Sequence, residues 1–422
     1  MEFFESYGLI LILLAAGVGF IMAWGIGAND VANAMGTSVG SKALTIKQAI
    51  VIAMVFEFAG AYLAGGEVTS TIRKGIIDPE YFSAIPEYLV LGMISSLFAA
   101  GIWLAFASWL GWPVSTTHSI IGAIIGFTAT GVSMDAVAWG KVGGIVGSWV
   151  VTPAISGIIA YLIFMSAHKL IFETKSPFEN AKRYVPFYMA LAGFIMSLVT
   201  IKKGLKHVGL EMSAMNGYIL AVVIAIILAI IGKWFIGRMK FSGSEDADLQ
   251  AANVEKVFAL LMVVTACCMA FAHGSNDVAN AIGPLAAVVS VVTSGGEINA
   301  NANLAWWILP LGGLGIVLGL AIFGHRVIKT IGQGITHLTP SRGFAAELAA
   351  ATTVVIASGT GLPISTTQTL VGAVLGVGLA RGVSALNLGI VRNIVVSWIV
   401  TLPAGAILSI IFFFALKAAF GV

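Results

Sequence analysis

Two short motifs set acidic, amide and hydroxyl side chains inside an otherwise apolar chain, and each is written twice. The first is GANDVANAMG at 27–36, which returns as GSNDVANAIG at 274–283. It gathers Asn29, Asp30 and Asn33, and again Asn276, Asp277 and Asn280, within about one helical turn. Residues three or four apart share a helix face. Asn29 therefore points with Asn33, and Asp30 with Asn33. Gly25, Gly27 and Gly274 flank the motifs and permit unwinding, which would free backbone carbonyls. Carboxylate, amide and carbonyl oxygens together suit a hard cation.

The second motif is WPVSTTHSIIGAIIG at 112–126, which returns as LPISTTQTLVGAVLG at 362–376. A helix entering Pro113 or Pro363 stops nearby, because proline has no N–H to donate and its ring crowds the preceding turn. Ser115 and Ser365 are good N-caps for the helix that follows. Its first turn presents unsatisfied N–H groups and the positive end of the helix dipole, which favours an anion. The runs Ser115, Thr116, Thr117 and Ser365, Thr366, Thr367 add hydroxyl donors suited to a tetrahedral oxyanion.

Charge counting links the two motifs. A divalent oxyanion beside Asp30 and Asp277 would gather about four negative charges in a low dielectric. Neither motif contains Lys or Arg, and His118 is matched by Gln368 in the second copy. The balancing charge is then expected from solution, as roughly two or three monovalent cations. Each ligand would make the site habitable for the other.

Such residues need elements that hold them away from water. The chain has 422 residues and is 59% hydrophobic and 10% charged, against about 25% charged in a soluble domain. Runs such as 7–24, 86–110, 216–236, 304–323 and 403–416 match the ~20 residues of a membrane span. The expected fold is an all-α polytopic membrane protein with roughly 10–12 spanning or half-spanning segments, some broken or re-entrant. An Asp at a bilayer centre costs about 2.5–3.5 kcal/mol on insertion scales. Repeating that cost at equivalent positions points beyond hydrogen-bonded locking of helices.

The repeats divide the chain into a first unit at about 1–165, a connecting region at 166–252 and a second unit at 253–422. The connecting region holds two spans and the start of the most hydrophilic stretch, 237–256. The polar stretch 65–85 reads as a loop outside lipid. Duplicated membrane units often have opposite orientations and share a site near the midplane, and inversion is expected here. The first ten residues lack Lys and Arg, whereas Lys42 and Lys47 follow the first Asn-Asp motif. That bias places the N-terminus outside a cell (inner or plasma) membrane and gives no basic n-region of a cleaved signal.

Glu57 in VIAMVFEFAGAYL and Glu347 in SRGFAAELAAATT also sit in apolar surroundings. Each is able to ligate a cation, to titrate, or to anchor a neighbouring helix. His273, where the first copy has Ile26, reads as a hydrogen-bonded interior histidine, with a proton-sensing role as the alternative. Cys267 and Cys268 read as small apolar filler. Zinc spacing, a Walker loop and a dinucleotide fingerprint are missing. No enzyme activity and no cofactor is expected, and a net charge of +3 gives no reason to invoke nucleic acid.

GANDVANAMG, GSNDVANAIG, GWPVSTTHSIIGA and GLPISTTQTLVGA resemble the motifs of the PiT-type inorganic phosphate transporters, a family that includes sodium-dependent phosphate symporters. The resemblance covers nearly the whole chain. It implies import of inorganic phosphate driven by sodium or protons, an inverted duplication, and functional weight for Glu57 and Glu347. Sodium is then expected at Asp30, Asn33, Asp277 and Asn280. Phosphate is expected at the two Ser-Thr-Thr runs, with Asn29 and Asn276 beside it or serving either ligand. The expected partners are phosphate, sodium ions and membrane lipid, and a homodimer is left open. Oxygen-rich surroundings favour sodium; a proton-coupled phosphate or metal–phosphate symporter is the alternative. A sulfate symporter, an anion channel and an intramembrane aspartyl protease rank lower. A channel needs no acidic residues, and a protease dyad would need neither the paired Asn nor the hydroxyl runs.

Overall fold

Every long apolar run becomes a helix. The computed structural model describes residues 2–201, 212–239, 247–298, 304–334, 337–382 and 386–422. Among them lie thirteen α-helices: α1 (Glu2–Gly40), α2 (Ile46–Ala64), α3 (Gly66–Lys74), α4 (Pro86–Leu110), α5 (Thr116–Gly131), α6 (Trp139–Ala167), α7 (Pro177–Val199), α8 (Ala214–Arg238), α9 (Ala247–Thr293), α10 (Ile308–Gly334), α11 (Pro340–Gly359), α12 (Thr366–Ala380) and α13 (Leu388–Phe420). Eight are long and apolar enough to cross a membrane. Helices α7 and α11 are long but less apolar, and α5 and α12 are about half as long as a helix such as α13. The chain is thus a multi-pass membrane protein with full and partial spans.

The breaks fall at the Pro-Ser-Thr-Thr motifs and not at the Asn-Asp motifs. Helices α1 and α9 run straight through the latter, so the unwinding expected at Gly25, Gly27 and Gly274 does not occur. These glycines serve close packing instead. A Cβ on Gly27 would collide with the Ile316 carbonyl of α10, and one on Gly274 with the Glu57 carbonyl of α2. The favour is returned: Gly319 meets the Trp24 carbonyl, and Gly60 the Phe271 carbonyl. Small residues let membrane helices approach this closely.

The two Asn-Asp helices run in opposite directions. Gly8 lies against Val292, Gly19 against Leu285, and Ser41 Oγ lies 3.1 Å from Met262 Sδ. Inverted repeats require that arrangement. The half-length helices are exchanged between the repeats. Gly122 of α5 abuts the Leu402 carbonyl of α13, and Gly372 of α12 abuts the Pro153 carbonyl of α6. Stretch 65–85 is not a free loop. It forms α3 and a 3-10 turn at Pro79–Phe82; Ile72 packs on Gly283 of α9, and Thr71 donates to the Gly361 carbonyl at 2.6 Å.

Two apolar clusters fill the interior. One holds Met35, Leu44, Phe258 and Phe344, the other Phe4, Phe82, Phe127 and Phe413. The Asn-Asp motifs lie at the seam: Val31 and Ala270 belong to the first cluster, Ile26 and Val278 to the second.

Candidate functional site

Each proline break is built by a glycine, a proline and a capping serine in turn. Helix α4 ends at Gly111 (φ 69°), whose N–H bonds the Ala107 carbonyl. Gly361 (φ 73°) follows the end of α11 in the same way. Positive φ is the region glycine enters without strain. Pro113 and Pro363 come two residues later and prevent the helix from resuming at once. Ser115 Oγ then accepts from the His118 N–H, and Ser365 Oγ from the Gln368 N–H, each at 3.3 Å.

The two breaks meet. Thr117 donates to the Ile364 carbonyl at 2.9 Å, and Thr367 donates to the Val114 carbonyl at 3.3 Å. The first turn of each half-helix thus reaches across to the extended segment of the other. Asn29 braces the first break: its amide nitrogen donates to Ser108 Oγ (3.1 Å) and the Trp112 carbonyl (3.0 Å), and its oxygen accepts from the Val114 N–H (3.2 Å). Asn276 braces the second. The amide orientation that satisfies its network accepts from Ser358 Oγ and donates to the Ile364 carbonyl and Asp277 Oδ1, each at 3.1 Å.

Acidic groups face these hydroxyls. Thr366 donates to Asp277 Oδ2 at 2.7 Å, and Thr367 Oγ1 lies 3.5 Å from Asp30 Oδ1. Asn280 donates to Thr116 Oγ1 and Thr117 Oγ1, both at 3.2 Å. Asn29, Asp30, Asn276, Asp277, Asn280 and all six Ser and Thr residues are at most 2% exposed, so the site is closed to solvent in this conformation. The Asn33 side chain lies outside the described residues.

One further residue joins the site. His273 is more than a satisfied interior histidine: it bridges two carboxylates, with Nε2 2.9 Å from Asp277 Oδ2 and Nδ1 3.2 Å from Glu57 Oε1. Ligand atoms of Asp30, His273 and Asp277 lie within 4.8 Å of one another. The four-residue spacing between His273 and Asp277, one helical turn, was the available signal. The site therefore contains a fixed titratable base. No Lys or Arg is buried among the described residues.

Glu347 is not part of this group. It accepts from Thr37 (2.5 Å) and Ser38 (2.6 Å) through Oε1 and from Thr265 (2.7 Å) through Oε2. Thr37 and Ser38 sit about two turns further along α1 than Asp30, roughly 10 Å by helical rise. Ser38 lies in GTSVG at 36–40, which has the letters of a hydrolase nucleophile elbow. The segment is continuous helix there, and the serine is bound to Glu347. His118 stacks on Trp149 at 3.7 Å between ring centres and is no counter-ion to the site. Cys267 and Cys268 are free thiols, as expected of filler.

Crossed half-helices that cap a closed polar site between antiparallel repeats are the architecture of a membrane transporter. The profile of the phosphate transporter family matches residues 26–409, and the chain belongs to that family. It is 58% identical over 420 residues, covering 100% of both chains, to the "Putative phosphate permease" of Haemophilus influenzae. A protein of Pyrococcus abyssi with a corresponding description is 46% identical, over 95% of this chain and 97% of its own. A solved structure titled "The sodium-dependent phosphate transporter" superposes with a TM-score of 0.89 at 40% identity, over 97% of this chain and 99% of that one.

Proposed function

We propose that this phosphate transporter imports inorganic phosphate together with sodium ions, by alternating access around the site where the two proline breaks meet. The carrying observation is that a hydroxyl at the start of α12 is turned onto an acidic residue: Thr366 is spent on Asp277. A cation seated at Asp30 and Asp277 would take over those carboxylates. The threonine hydroxyls would then be free to donate to an oxyanion held at the N-termini of α5 and α12. Each ligand thus prepares the place of the other, which is positive cooperativity, a favourable coupling free energy between two sites. Sodium is supported by the oxygen-rich donors Asp30, Asp277 and Asn280, and by the name of the solved relative. Ser115, Thr116, Thr117, Ser365, Thr366 and Thr367 take the phosphate role, with Asn29 and Asn276 as braces beside it. Closure of the site on both sides fits an occluded state between outward and inward openings.

Proton coupling is the second reading, favoured by one observation: Glu57, His273 and Asp277 form a buried chain that ends at the cation position. Labelled phosphate uptake into proteoliposomes, with sodium and pH gradients varied independently, separates the two. Uptake is expected to follow the sodium gradient at fixed pH and to lose that dependence in Asp30→Asn. Uptake that follows only the pH gradient would transfer the coupling role to the Glu57–His273 pair.

A further inference from the structure

The hairpin of α7 and α8 carries a feature that the transport site does not use. The two helices are antiparallel neighbours, with Gly193 against Leu228 and Gly232 against Met189. On the outer side of their seam is a groove of about 490 Å³. Its walls are apolar and turned outward: Phe187 is 69% and Ile230 63% exposed, with Phe194 deeper along the seam. One end is basic. Lys182, Arg183 and Lys233, from both helices, line the same groove. Lys182 also meets Glu179 at 2.6 Å and the Phe178 ring at 4.3 Å. The distance from Arg183 to Phe194 along α7 is about 17 Å by helical rise, close to half of a ~30 Å hydrocarbon core. The groove is one leaflet deep.

We propose that this groove holds an anionic phospholipid, its phosphate at Lys182, Arg183 and Lys233 and an acyl chain along the seam. Basic clusters between membrane helices recognise such headgroups, and long basic side chains reach the interface while their stems cover apolar surface. A second copy of the chain fits less well. A twofold interface through this groove would set both copies' three basic residues side by side.

The test compares phosphatidylglycerol with phosphatidylcholine of the same acyl chains, added to the delipidated full-length protein and read by native mass spectrometry. Wild type is expected to retain phosphatidylglycerol about tenfold better. The double variant Arg183→Gln, Lys233→Gln should lose that preference, and Arg183→Lys, Lys233→Arg should keep it. Equal retention of the two lipids by wild type, or an unchanged preference in the Gln variant, overturns the proposal. Efficient disulfide formation between copies of Ile230→Cys in native membranes overturns it too, because the groove would then be a protein interface.

Discussion

Ser365 does two things that one substitution would confound. Its Oγ caps α12 by accepting from the Gln368 N–H, and in the proposed site its hydroxyl donates to the anion. Ser→Ala at an N-cap costs about 1 kcal/mol of stability, whereas Ser→Gly costs only a few tenths. Both remove the hydroxyl. If the hydroxyl binds phosphate, Ser365→Ala and Ser365→Gly should each raise the half-saturating phosphate concentration about tenfold at saturating sodium, equivalent to roughly 1.4 kcal/mol. Recovery of wild-type affinity in the glycine variant would reduce Ser365 to a cap. The sequence made this serine visible because a serine stands two residues after a proline in both copies, Ser115 after Pro113 and Ser365 after Pro363. It did not reveal that the Thr366 hydroxyl beside it is turned onto Asp277. Hydroxyl direction depends on what faces it, and the facing helix is about 90 residues away in the chain.

At the scale of elements, the proline breaks were legible and the role of the glycines was not. Gly-Trp-Pro and Gly-Leu-Pro each stop a helix for local reasons, so the re-entrant half-helices α5 and α12 follow from sequence alone. Gly27 and Gly274 admit two readings, unwinding or close approach, and only the partner helix decides between them. Here the partners are backbone carbonyls of α10 and α2. The same logic separates other glycines. A Cβ on Gly372 would strike the backbone of Pro153, which cannot swing aside as a side chain would. Gly144 of α6 has nothing within 4 Å of where its Cβ would stand. Overpacking typically costs 1–3 kcal/mol, while Gly→Ala in an open helix position gains up to about 1 kcal/mol in propensity. Gly372→Ala should therefore destabilise the purified protein by about 3 kcal/mol and lower its thermal unfolding midpoint, and Gly144→Ala should leave the midpoint level or raise it. A tolerated Gly372→Ala would mean that α12 and α6 are free to separate in the folded state.

For the whole molecule, the inverted frame is nearly symmetric in backbone and asymmetric in charge. Gly27 packs on Ile316 as Gly274 packs on Glu57, so the Glu57–His273 pair has Ile316 and Ile26 as its counterparts. That asymmetry runs to the ends of the molecule. At one end Phe172, Phe258 and Phe344 stack in succession, and Ser341 donates to Glu255 at 2.7 Å. The connections there carry Lys42, Lys169, Lys175 and Arg342. At the other end Phe3 and Tyr7 pack on Phe420, and the Asp78 N–H bonds the Ala136 carbonyl. Glu2, Glu5, Asp78, Glu80, Glu87 and Asp135 lie there, against Lys141 and Lys417. If basic connections face the cytoplasm, both termini are predicted to lie outside; for the N-terminus the first fifty residues alone give the same expectation. The C-terminal side needed the structure, because it depends on which helices cross fully and which turn back. In cells expressing the protein with both native cysteines replaced, a membrane-impermeant maleimide should label Glu2→Cys and Val422→Cys without permeabilisation. Lys175→Cys should react only after the membrane is opened. Labelling of Lys175→Cys on intact cells, with protection of the termini, would turn the molecule over and make the basic α7–α8 groove an outer-leaflet feature.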